Sequence, residues 1–484
     1  MRQAVWIAAI AMLAALPGCG SSDEPPPPRP AVHAAYVVLA TDARGATVAL
    51  ARAIVAPSDP ACPALRRGGT SLAMHLRANP FGFPVNVCEA RLPFDRRFRL
   101  SWNDQPLPIA HRQPSPIVVI GDTGCTGADC PAGTLAAPFA AIAAAAAAQD
   151  PAPQLVVHLG DFNYRGTATS VPLRGGAALD VYDAGGDAPA DPRCQLDSPY
   201  VSQNAAYSAN PDTWEHWSED FFEPAAPLLA QAPWVMVRGN HELCSRAGPG
   251  WFYFLDPDFA ADLGGRGELS CPPQGDAAPL PPPILPYLVF SPPYGLDLGA
   301  LHLAVVDSAN ACDGFAPAST TQIYTQQLAD VLAMLPSGRA NWIATHRPLW
   351  AATEAGGDES DNATLQQAWA ATGALHTPPP VALALGGHIH TFQSVAFPDQ
   401  ATPRPPQLVV GASGVALDDA APAGPFTATL DGESANGLGI VEFLFLRATA
   451  PGTDGFWSGT LFSESGMPLG SCGTGNLPDA LCVE

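Results

Sequence analysis

The chain has 484 residues, of which 47% are hydrophobic and 14% charged, and its formal net charge is −23. A chain of this length and apolar content is typical of a globular protein with a substantial core. Every basic residue is an arginine, so the acidic balance and the lack of lysine exclude a basic nucleic-acid-binding surface, Schiff-base lysine chemistry and a Walker-type phosphate loop.

The first residues predict export from the cytosol. Arg2 precedes an apolar stretch from Ala4 to Leu16, which is too short to span a bilayer and is typical of a secretory signal peptide. The segment LPGC at 16–19 resembles the lipobox of bacterial lipoproteins. An ordinary secretory signal that is cleaved elsewhere is the alternative interpretation.

The lipobox resemblance implies a signal peptide over residues 1–18 and a lipidated Cys19 that binds the protein to a bacterial membrane. Residues 19–31 contain a run of prolines and are expected to form a solvated tether. Gly20, directly after the cysteine, favours the outer membrane. We therefore expect an exported, lipid-anchored protein.

The cysteines favour disulfides over a thiol site. The chain has 11 cysteines, and setting Cys19 aside leaves an even number in a protein that is expected to leave the cytosol. Local pairs are possible between Cys62 and Cys88, Cys125 and Cys130, and Cys472 and Cys482. The other pairings stay open, because connectivity does not follow from sequence.

The N-terminal part after the tether predicts a small β-rich module. Residues 32–112 hold short runs of β-forming residues separated by proline and glycine. Residues 113–484 alternate such runs with helical stretches, which indicates an α/β catalytic domain. Helices are predicted at 131–149, 213–231 and 320–335.

Two segments between these elements predict loops. Residues 165–212 are rich in Gly, Ala, Asp and Pro, and residues 256–286 are rich in proline. Long loops beside strand ends usually shape the entrance to a site. Substrate choice is therefore expected to depend on them.

Five short segments place oxygen or nitrogen donors just after apolar runs. Each run is rich in β-branched residues and predicts a strand, so we expect five strand ends to bring their donors to one rim of a sheet. Taken singly, each segment is more simply explained as a strand-ending turn or a pair of structural histidines. The segments are GDTG (121–124), GDFNY (160–164), GNHE (239–242), ATHRP (344–348) and GHIH (387–390).

Taken together, these segments resemble the motifs of the calcineurin-like metallophosphoesterase superfamily, and more closely those of its purple acid phosphatase branch. That pattern reads DxG, GDxxY, GNH(D/E), VxxH and GHxH, and the chain departs from it only at Ile343, where the pattern has valine. The glycine of GDTG and the tyrosine of GDFNY indicate this branch. The resemblance implies a four-layer αββα sandwich.

The resemblance also implies a dinuclear metal site with Asp161 as the bridging ligand. Carboxylate and phenolate oxygens suit Fe(III), whereas an amide and two imidazoles suit a divalent ion such as Fe, Zn or Mn. The implied ligands are Asp122, Asp161, Tyr164 and His390 for the first ion, and Asp161, Asn240, His346 and His388 for the second.

The implied reaction is hydrolysis of a phosphate ester by a metal-bound hydroxide. His241 matches the family histidine that contacts phosphate and protonates the leaving group. Arg165 is a candidate phosphate clamp, with a salt bridge as the alternative. Glu242 is expected to orient the backbone or His241 rather than to bind metal.

Three further residues lie near the motifs. His158 is expected to be structural, because a regular strand would point it away from Asp161. Asp307 follows another apolar run and is expected to support the site from behind. His216 is either an additional acid or part of an exposed helix face.

We expect a phosphate monoesterase that acts on external phosphate-ester substrates. A phosphodiesterase with the same metal site is the first alternative. A non-catalytic surface lipoprotein is the second, and the presence of all the implied ligands counts against it.

Overall fold

The computed structural model describes residues 31–57, 62–77, 83–125, 133, 135–165, 171–172, 178–179, 212–243, 246–257, 290–314, 316–354, 362–373, 381–398, 404–477 and 480–484. The proposed signal peptide, nearly all of the tether and most of the two predicted loop segments lie outside these residues. Within the described ranges, no helix is both long and apolar enough to cross a membrane.

Strands dominate the described residues. Their apolar, β-branched sequences favour extended backbone. In chain order they are β1 (Val32–Thr41), β2 (Thr47–Val55), β3 (Ala64–Arg67), β4 (Thr70–Ala73), β5 (His75–Leu76), β6 (Asn86–Leu92), β7 (Arg99–Leu100), β8 (Ile117–Ile120), β9 (Leu155–His158), β10 (Val171–Pro172), β11 (Ala178–Leu179), β12 (Trp234–Met236), β13 (Tyr294–Leu298), β14 (Leu301–Val305), β15 (Ala340–Ala344), β16 (Val381–Gly386), β17 (Phe392–Ala396), β18 (Gln407–Val410), β19 (Gly424–Leu430), β20 (Glu433–Ile440), β21 (Leu444–Ala448), β22 (Ser458–Ser463), β23 (Pro468–Gly473) and β24 (Cys482–Val483).

Two large mixed sheets carry the motif loops. The first has eleven strands in the order β24-β23-β22-β21-β8-β9-β12-β1-β2-β6-β5, and the second has eight in the order β13-β14-β15-β16-β18-β17-β20-β19. The central strands of each are parallel: β8, β9, β12 and β1 in the first, and β14, β15, β16 and β18 in the second. Parallel strands end at the same edge, so their following loops meet there.

The helices and helical turns lie between the strands in the sequence. The α-helices are α1 (Ala137–Ala147), α2 (Trp214–Trp217), α3 (Ala226–Gln231), α4 (Gly248–Gly250), α5 (Ala318–Met334) and α6 (Ala363–Ala371). Two π-helical turns span Ser218–Phe222 and Trp251–Leu255, and two 3₁₀ turns span Asn240–Glu242 and Thr474–Asn476.

The cores show a four-layer sandwich, as predicted. Val119 of β8 packs between the two sheets, whereas Val118 and Ile120 face a second cluster that includes Phe139 of α1. This alternation follows from the two-residue period of a strand. On the other side, Leu328 of α5 belongs to a third cluster against the outer face of the eight-stranded sheet. The order of layers is helices, sheet, sheet, helices.

The N-terminal region is β-rich, as predicted, and its strands extend the catalytic sheet. β1 pairs with β12 in parallel, and β2 and β6 continue the same sheet by antiparallel pairing. Among the described strands of this region, β3, β4 and β7 form a separate three-stranded sheet. A domain boundary at residues 112 and 113 stays a prediction.

The helix predicted over 213–231 is interrupted. It begins as α2, passes through the π-helical turn Ser218–Phe222 and a turn, and resumes as α3. Pro224 lies in that turn, where proline has no N–H to donate and its ring crowds the preceding helical carbonyl. The other two predicted helices form as α1 and α5. Helix α1 lies within its predicted range, and α5 begins two residues before its predicted start.

Disulfides join the cysteines that the structure describes. Cys62 pairs with Cys88 and Cys472 with Cys482, as predicted. Cys125 and Cys312 are also disulfide-bonded. The predicted partner of Cys125, Cys130, lies outside the described residues, so that pairing stays a prediction.

Candidate metal centre

The five motif loops meet between the two sheets rather than at one rim of a single sheet. Those that carry Asp122, Asp161 and Asn240 follow β8, β9 and β12 of the eleven-stranded sheet. Those that carry His346 and His388 follow β15 and β16 of the eight-stranded sheet. The expectation of one rim was wrong, because sequence shows strand ends but not which strands pair.

The donors predicted for the first ion surround the Tyr164 hydroxyl. Its oxygen lies 3.2 Å from Asp122 Oδ1, 3.1 Å from Asp161 Oδ2 and 3.3 Å from His390 Nε2. Asp122 Oδ1 and His390 Nε2 are 3.8 Å apart. One hydroxyl proton serves only one of these acceptors, so a cation would satisfy the group better than the proton does.

The donors predicted for the second ion surround His346 Nε2. The His346 Nδ1–H donates to the Leu159 carbonyl at 2.8 Å, which turns Nε2 and its lone pair toward the site. That lone pair faces Asn240 Oδ1 at 2.8 Å and Asp161 Oδ2 at 3.3 Å. Either a proton on Nε2 or a metal ion between these atoms is needed to hold the three together.

Asp161 belongs to both groups. Its Oδ2 is the atom near both Tyr164 and His346, while its Oδ1 accepts the backbone N–H of His241 at 2.9 Å. One ligand atom each from Asp161, His346 and His388 lies within 4.8 Å of the others. The structure thus brings all the sequence-predicted ligands together, with Asp161 shared by the two groups, and a bridge between two ions stays a prediction.

Burial and charge also fit a metal cation. Asp122 and Asp161 are almost fully buried. Burial, together with the Asp161 carboxylate, raises the pKa of Asp122 well above its usual range. Burial opposes ionisation of Asp161 as well, but His346 and His241 hold its pKa below the ordinary value. Two adjacent buried carboxylates are stable as anions only beside compensating cations.

The backbone is strained at three of these positions. Asp122, Asp161 and His388 have φ values of 56°, 58° and 70°, which lie in the left-handed region that non-glycine residues seldom adopt. Such strain is typical of functional sites that the surrounding fold holds in place. It costs of order 1–3 kcal/mol at each residue.

Glycines in two motifs permit close approach to the ligands. A Cβ on Gly124 would collide with the Tyr164 ring, and one on Gly239 would collide with Asp161. The first contact explains the physical requirement for glycine in GDTG. A side chain there would displace Tyr164 from the site.

Glu242 supports the ligand loops, as expected. Its two carboxylate oxygens accept backbone N–H groups of Asp161, Phe162, Asn163 and Gly239 at 2.8–3.2 Å. Burial, followed by the Asp161 charge, raises the pKa of Glu242 to about 8. The side chain joins the GDFNY and GNHE loops.

His241 lies at the predicted position beside the site. Its ring is 3.9 Å from the Tyr164 ring, centroid to centroid, and tilted by 38°. The side chain is mostly buried. This contact holds the imidazole next to the Tyr164 and Asp161 donors.

Arg165 forms salt bridges, as in the alternative interpretation, and its role as a phosphate clamp stays a prediction. Its Nε donates to Asp220 Oδ1 and its Nη1 to Glu219 Oε2 at 2.9 Å. Asp220 also accepts the backbone N–H of Tyr164 at 3.0 Å. Burial raises the pKa of Asp220 to about 6, although the Arg165 guanidinium opposes the shift. The pair therefore holds the Tyr164 loop against the π-helical turn Ser218–Phe222.

His158 and Asp307 also have the expected structural contacts. His158 Nδ1 accepts the Gly160 N–H and its Nε2 donates to Thr123 Oγ1 at 2.8 Å. Burial lowers the pKa of His158 well below its usual value, which keeps the ring neutral. Asp307 Oδ2 accepts from Arg238 Nη1 at 3.0 Å behind the GNHE loop. The half-buried His216 lies in α2.

Two residues beside His388 escaped the sequence analysis. Asp313 Oδ2 lies 3.0 Å from His388 Nε2, and Arg347 Nη1 lies 2.9 Å from the same nitrogen. Burial opposes ionisation of Asp313, yet Arg347 and His388 hold its pKa well below the usual value. Arg347 follows a motif histidine and was therefore detectable. Asp313 follows no strand and carries no sequence signal.

Comparison with known proteins places this fold and site in a family. A family model for calcineurin-like phosphoesterases matches residues 115–392. The chain therefore belongs to the calcineurin-like phosphoesterase family, whose members are metal-dependent phosphoesterases. No curated protein matches the sequence at a significant level.

A solved structure shows the same fold. The chain is similar to the structure of purple acid phosphatase PPD1 from yellow lupin (Lupinus luteus) seeds, with a TM-score of 0.52 and 14% sequence identity. The match covers 92% of this chain and 74% of that one. At this identity the likeness establishes the fold alone.

Proposed function

We propose that the protein hydrolyses phosphate monoesters at a dinuclear metal centre of purple acid phosphatase type. The observation that carries this proposal is the arrangement around Asp161 Oδ2, which lies 3.1 Å from the Tyr164 hydroxyl and 3.3 Å from His346 Nε2. One carboxylate oxygen shared between a phenol group and an imidazole group suits a bridge between two ions. Their donor sets suit Fe(III) on the tyrosine side and divalent Fe, Zn or Mn on the histidine side.

Bound ions would supply Lewis acidity at phosphorus and a water of lowered pKa. The chain's own side chains would fix the positions of the two ions. Tyr164 and Asp122 hold one side, and Asn240, His346 and His388 hold the other. We assign His241 to contact with the phosphate and to proton donation to the leaving oxygen, because its ring stacks on Tyr164 beside both sets of donors.

A side-by-side assay of a generic phosphate monoester and a diester, at acidic and neutral pH, tests this function. We expect the monoester to be the better substrate and the activity to extend into acidic pH, because Fe(III) acidifies its bound water more than a divalent ion does. His346→Ala should lower the activity by more than about 100-fold, because changes to groups behind a metal ligand already cost up to that much and His346 is itself a proposed ligand.

The control for this assay is His75→Ala, a change of an exposed histidine on β5 that should keep wild-type activity. A diester rate far above the monoester rate would favour the phosphodiesterase alternative. Wild-type activity in His346→Ala would contradict the site itself.

We further propose export and membrane anchoring through a lipidated Cys19, on the sequence of residues 16–19. Lipid attachment would keep the catalytic domain at a bacterial surface, where it meets substrate outside the cytosol. Fractionation of cells that produce the chain or its Cys19→Ala variant tests this: wild-type protein in the soluble fraction contradicts it.

A further inference from the structure

We infer that Asp313 is a positioning residue that sets the tautomer and orientation of His388, so that its Nδ1 is left for the proposed divalent ion, and that Arg347 orients Asp313. The inference rests on the proposed function, because it concerns a ligand of the proposed divalent ion. It adds two residues to the site that neither the motifs nor the family match assigns.

The two nitrogens of the His388 ring have different surroundings. Nε2 lies between Asp313 Oδ2 and Arg347 Nη1, at 3.0 and 2.9 Å. That leaves Nδ1 as the nitrogen available to an ion. The His388 backbone is also held, because its N–H donates to Asp122 Oδ2 at 2.9 Å. The ring edge that carries Nε2 therefore contacts the ion pair, and the Nδ1 edge is left for the site.

The two neighbours favour opposite tautomers. A carboxylate only accepts, so Asp313 stabilises a proton on Nε2 and leaves the Nδ1 lone pair for a metal. A guanidinium only donates, so Arg347 alone would pair with an unprotonated Nε2 and leave the proton on Nδ1. A metal cannot bind a protonated nitrogen. Asp313 is thus the group that makes His388 a competent ligand, and Arg347 orients Asp313 by donating to it.

The surroundings hold Asp313 firmly. Asn362 Nδ2 donates to its second oxygen at 2.7 Å, and Asn362 also caps the N-terminus of α6. The Asp313 carbonyl accepts the N–H of Ala363 at 2.7 Å. The preceding residue, Cys312, is disulfide-bonded. Rigid support behind a ligand is what a metal site requires to keep its geometry.

A contribution to stability is a weak explanation for the presence of the buried Arg347–Asp313 ion pair. The Arg347 side chain is fully buried and that of Asp313 is 13% exposed. Burying such a pair is often no better for stability than apolar residues of similar volume, since both charges lose water. Contact with a ligand nitrogen provides the stronger reason.

The test measures metal retention in the full-length holoprotein. Asp313→Asn and wild type are dialysed against a competing chelator, and bound metal is counted by elemental analysis. We expect the variant to bind one of the two ions about 10–100-fold more weakly and so to lose it to the chelator. Losses of this size are typical of changes behind metal-binding histidines. Co(II) loaded into the divalent position should also show an altered visible spectrum, which a merely structural role would not change.

The matched control is Asp297→Asn. Asp297 also lies between a histidine and an arginine, with its Oδ1 2.8 Å from His302 Nδ1 and 2.6 Å from Arg339 Nη1, but on β13 at the edge of the eight-stranded sheet. It should retain both ions and the wild-type Co(II) spectrum. Equal metal loss in both variants would contradict the inference.

A double-mutant cycle tests whether Asp313 acts through His388. His388→Ala should lose the divalent ion by itself, and adding Asp313→Asn should cause no further loss. Additive losses would contradict the inference. If Asp313→Asn does not fold, Asn362→Gly serves instead, since glycine accepts the φ of 41° at that position. It should weaken the same ion, and unchanged affinity would contradict the inference.

The wild-type protein separates this inference from the proposed function. Wild type that binds no metal contradicts both. Wild type that retains two ions, with an Asp313→Asn variant that retains them equally well, contradicts only the role of Asp313.

Discussion

At the scale of single residues, the proposed Fe(III) assignment depends on Tyr164. Its hydroxyl lies within 3.3 Å of Asp122, Asp161 and His390 donors, and its ring stacks against His241. Phenolate is a hard anionic ligand that favours Fe(III) over divalent ions. Tyr164 therefore links the structure to the proposed iron.

The corresponding prediction concerns colour. A tyrosinate bound to Fe(III) absorbs visible light, so purified wild type should be pink to purple and Tyr164→Phe colourless, with the ring stacking kept. Tyr36→Phe is the control, because that buried hydroxyl donates to the Phe254 carbonyl instead. Absorption spectra and iron analysis check the outcome. A colourless, iron-free wild type that is fully active with zinc or manganese would contradict the iron assignment and leave the fold intact.

At the scale of elements, a buried charge cluster ties the N-terminal strands to the segment after GNHE. Glu89 Oε2 on β6 accepts from Arg52 Nε at 2.6 Å and from Arg77 Nη1 at 2.9 Å. Both arginines also donate to carbonyls of the π-helical turn Trp251–Leu255 or the residue after it, at 2.5–3.0 Å. The N-terminal strands are therefore bonded to the catalytic part by side chains as well as by the sheet.

We predict that Glu89→Gln lowers the free energy of unfolding by about 3–5 kcal/mol at neutral pH, because two buried arginines lose their counter-charge. Burial opposes ionisation of Glu89, but Arg77 and Arg52 lower its pKa overall. A lowered pKa stabilises the fold above the unfolded value of about 4.3, and this contribution disappears as pH falls through the folded value.

Urea unfolding across pH 3–7 should thus show a weaker acid dependence for Glu89→Gln than for wild type. Asp104→Asn removes an exposed ion pair with Arg99 and should leave the unfolding midpoint unchanged. A Glu89→Gln midpoint equal to that of wild type at pH 7 would contradict the proposed role of the cluster.

At the scale of the whole molecule, loops of both sheets build the candidate metal centre. Its donors follow strands of both the eleven-stranded and the eight-stranded sheet. Ions bound there would join the two halves of the sandwich. Ligands that bind only the folded state raise its stability by mass action.

Removal of metal should therefore lower the thermal unfolding midpoint. The free energy of unfolding should fall by about 2.7 kcal/mol when an ion present at 100 times its dissociation constant is removed. Scanning calorimetry of holoprotein and chelator-treated protein measures it, and the midpoint should return when metal is restored. His346→Ala should show a smaller metal response. An unfolding midpoint independent of metal would contradict a site that joins the sheets.

The sequence by itself determined the strands before each motif and the ligand residues after them. β-branched apolar runs favour extended backbone locally, and donor residues at strand ends keep their order whatever the fold. Glycine at 124 and tyrosine at 164 likewise indicated the branch of the family from their residue types alone, whereas the structure supplied the steric reason for the glycine, a contact with the Tyr164 ring.

Only the tertiary structure decided which strands share a sheet, and hence that the donors come from two sheets. It also showed the salt bridges of Arg165 and placed Asp313 behind His388. These features depend on contacts between residues far apart in the chain, such as the 75 positions between Asp313 and His388. Sequence periodicity reports local backbone preference, whereas the partner of a buried charge is set by packing.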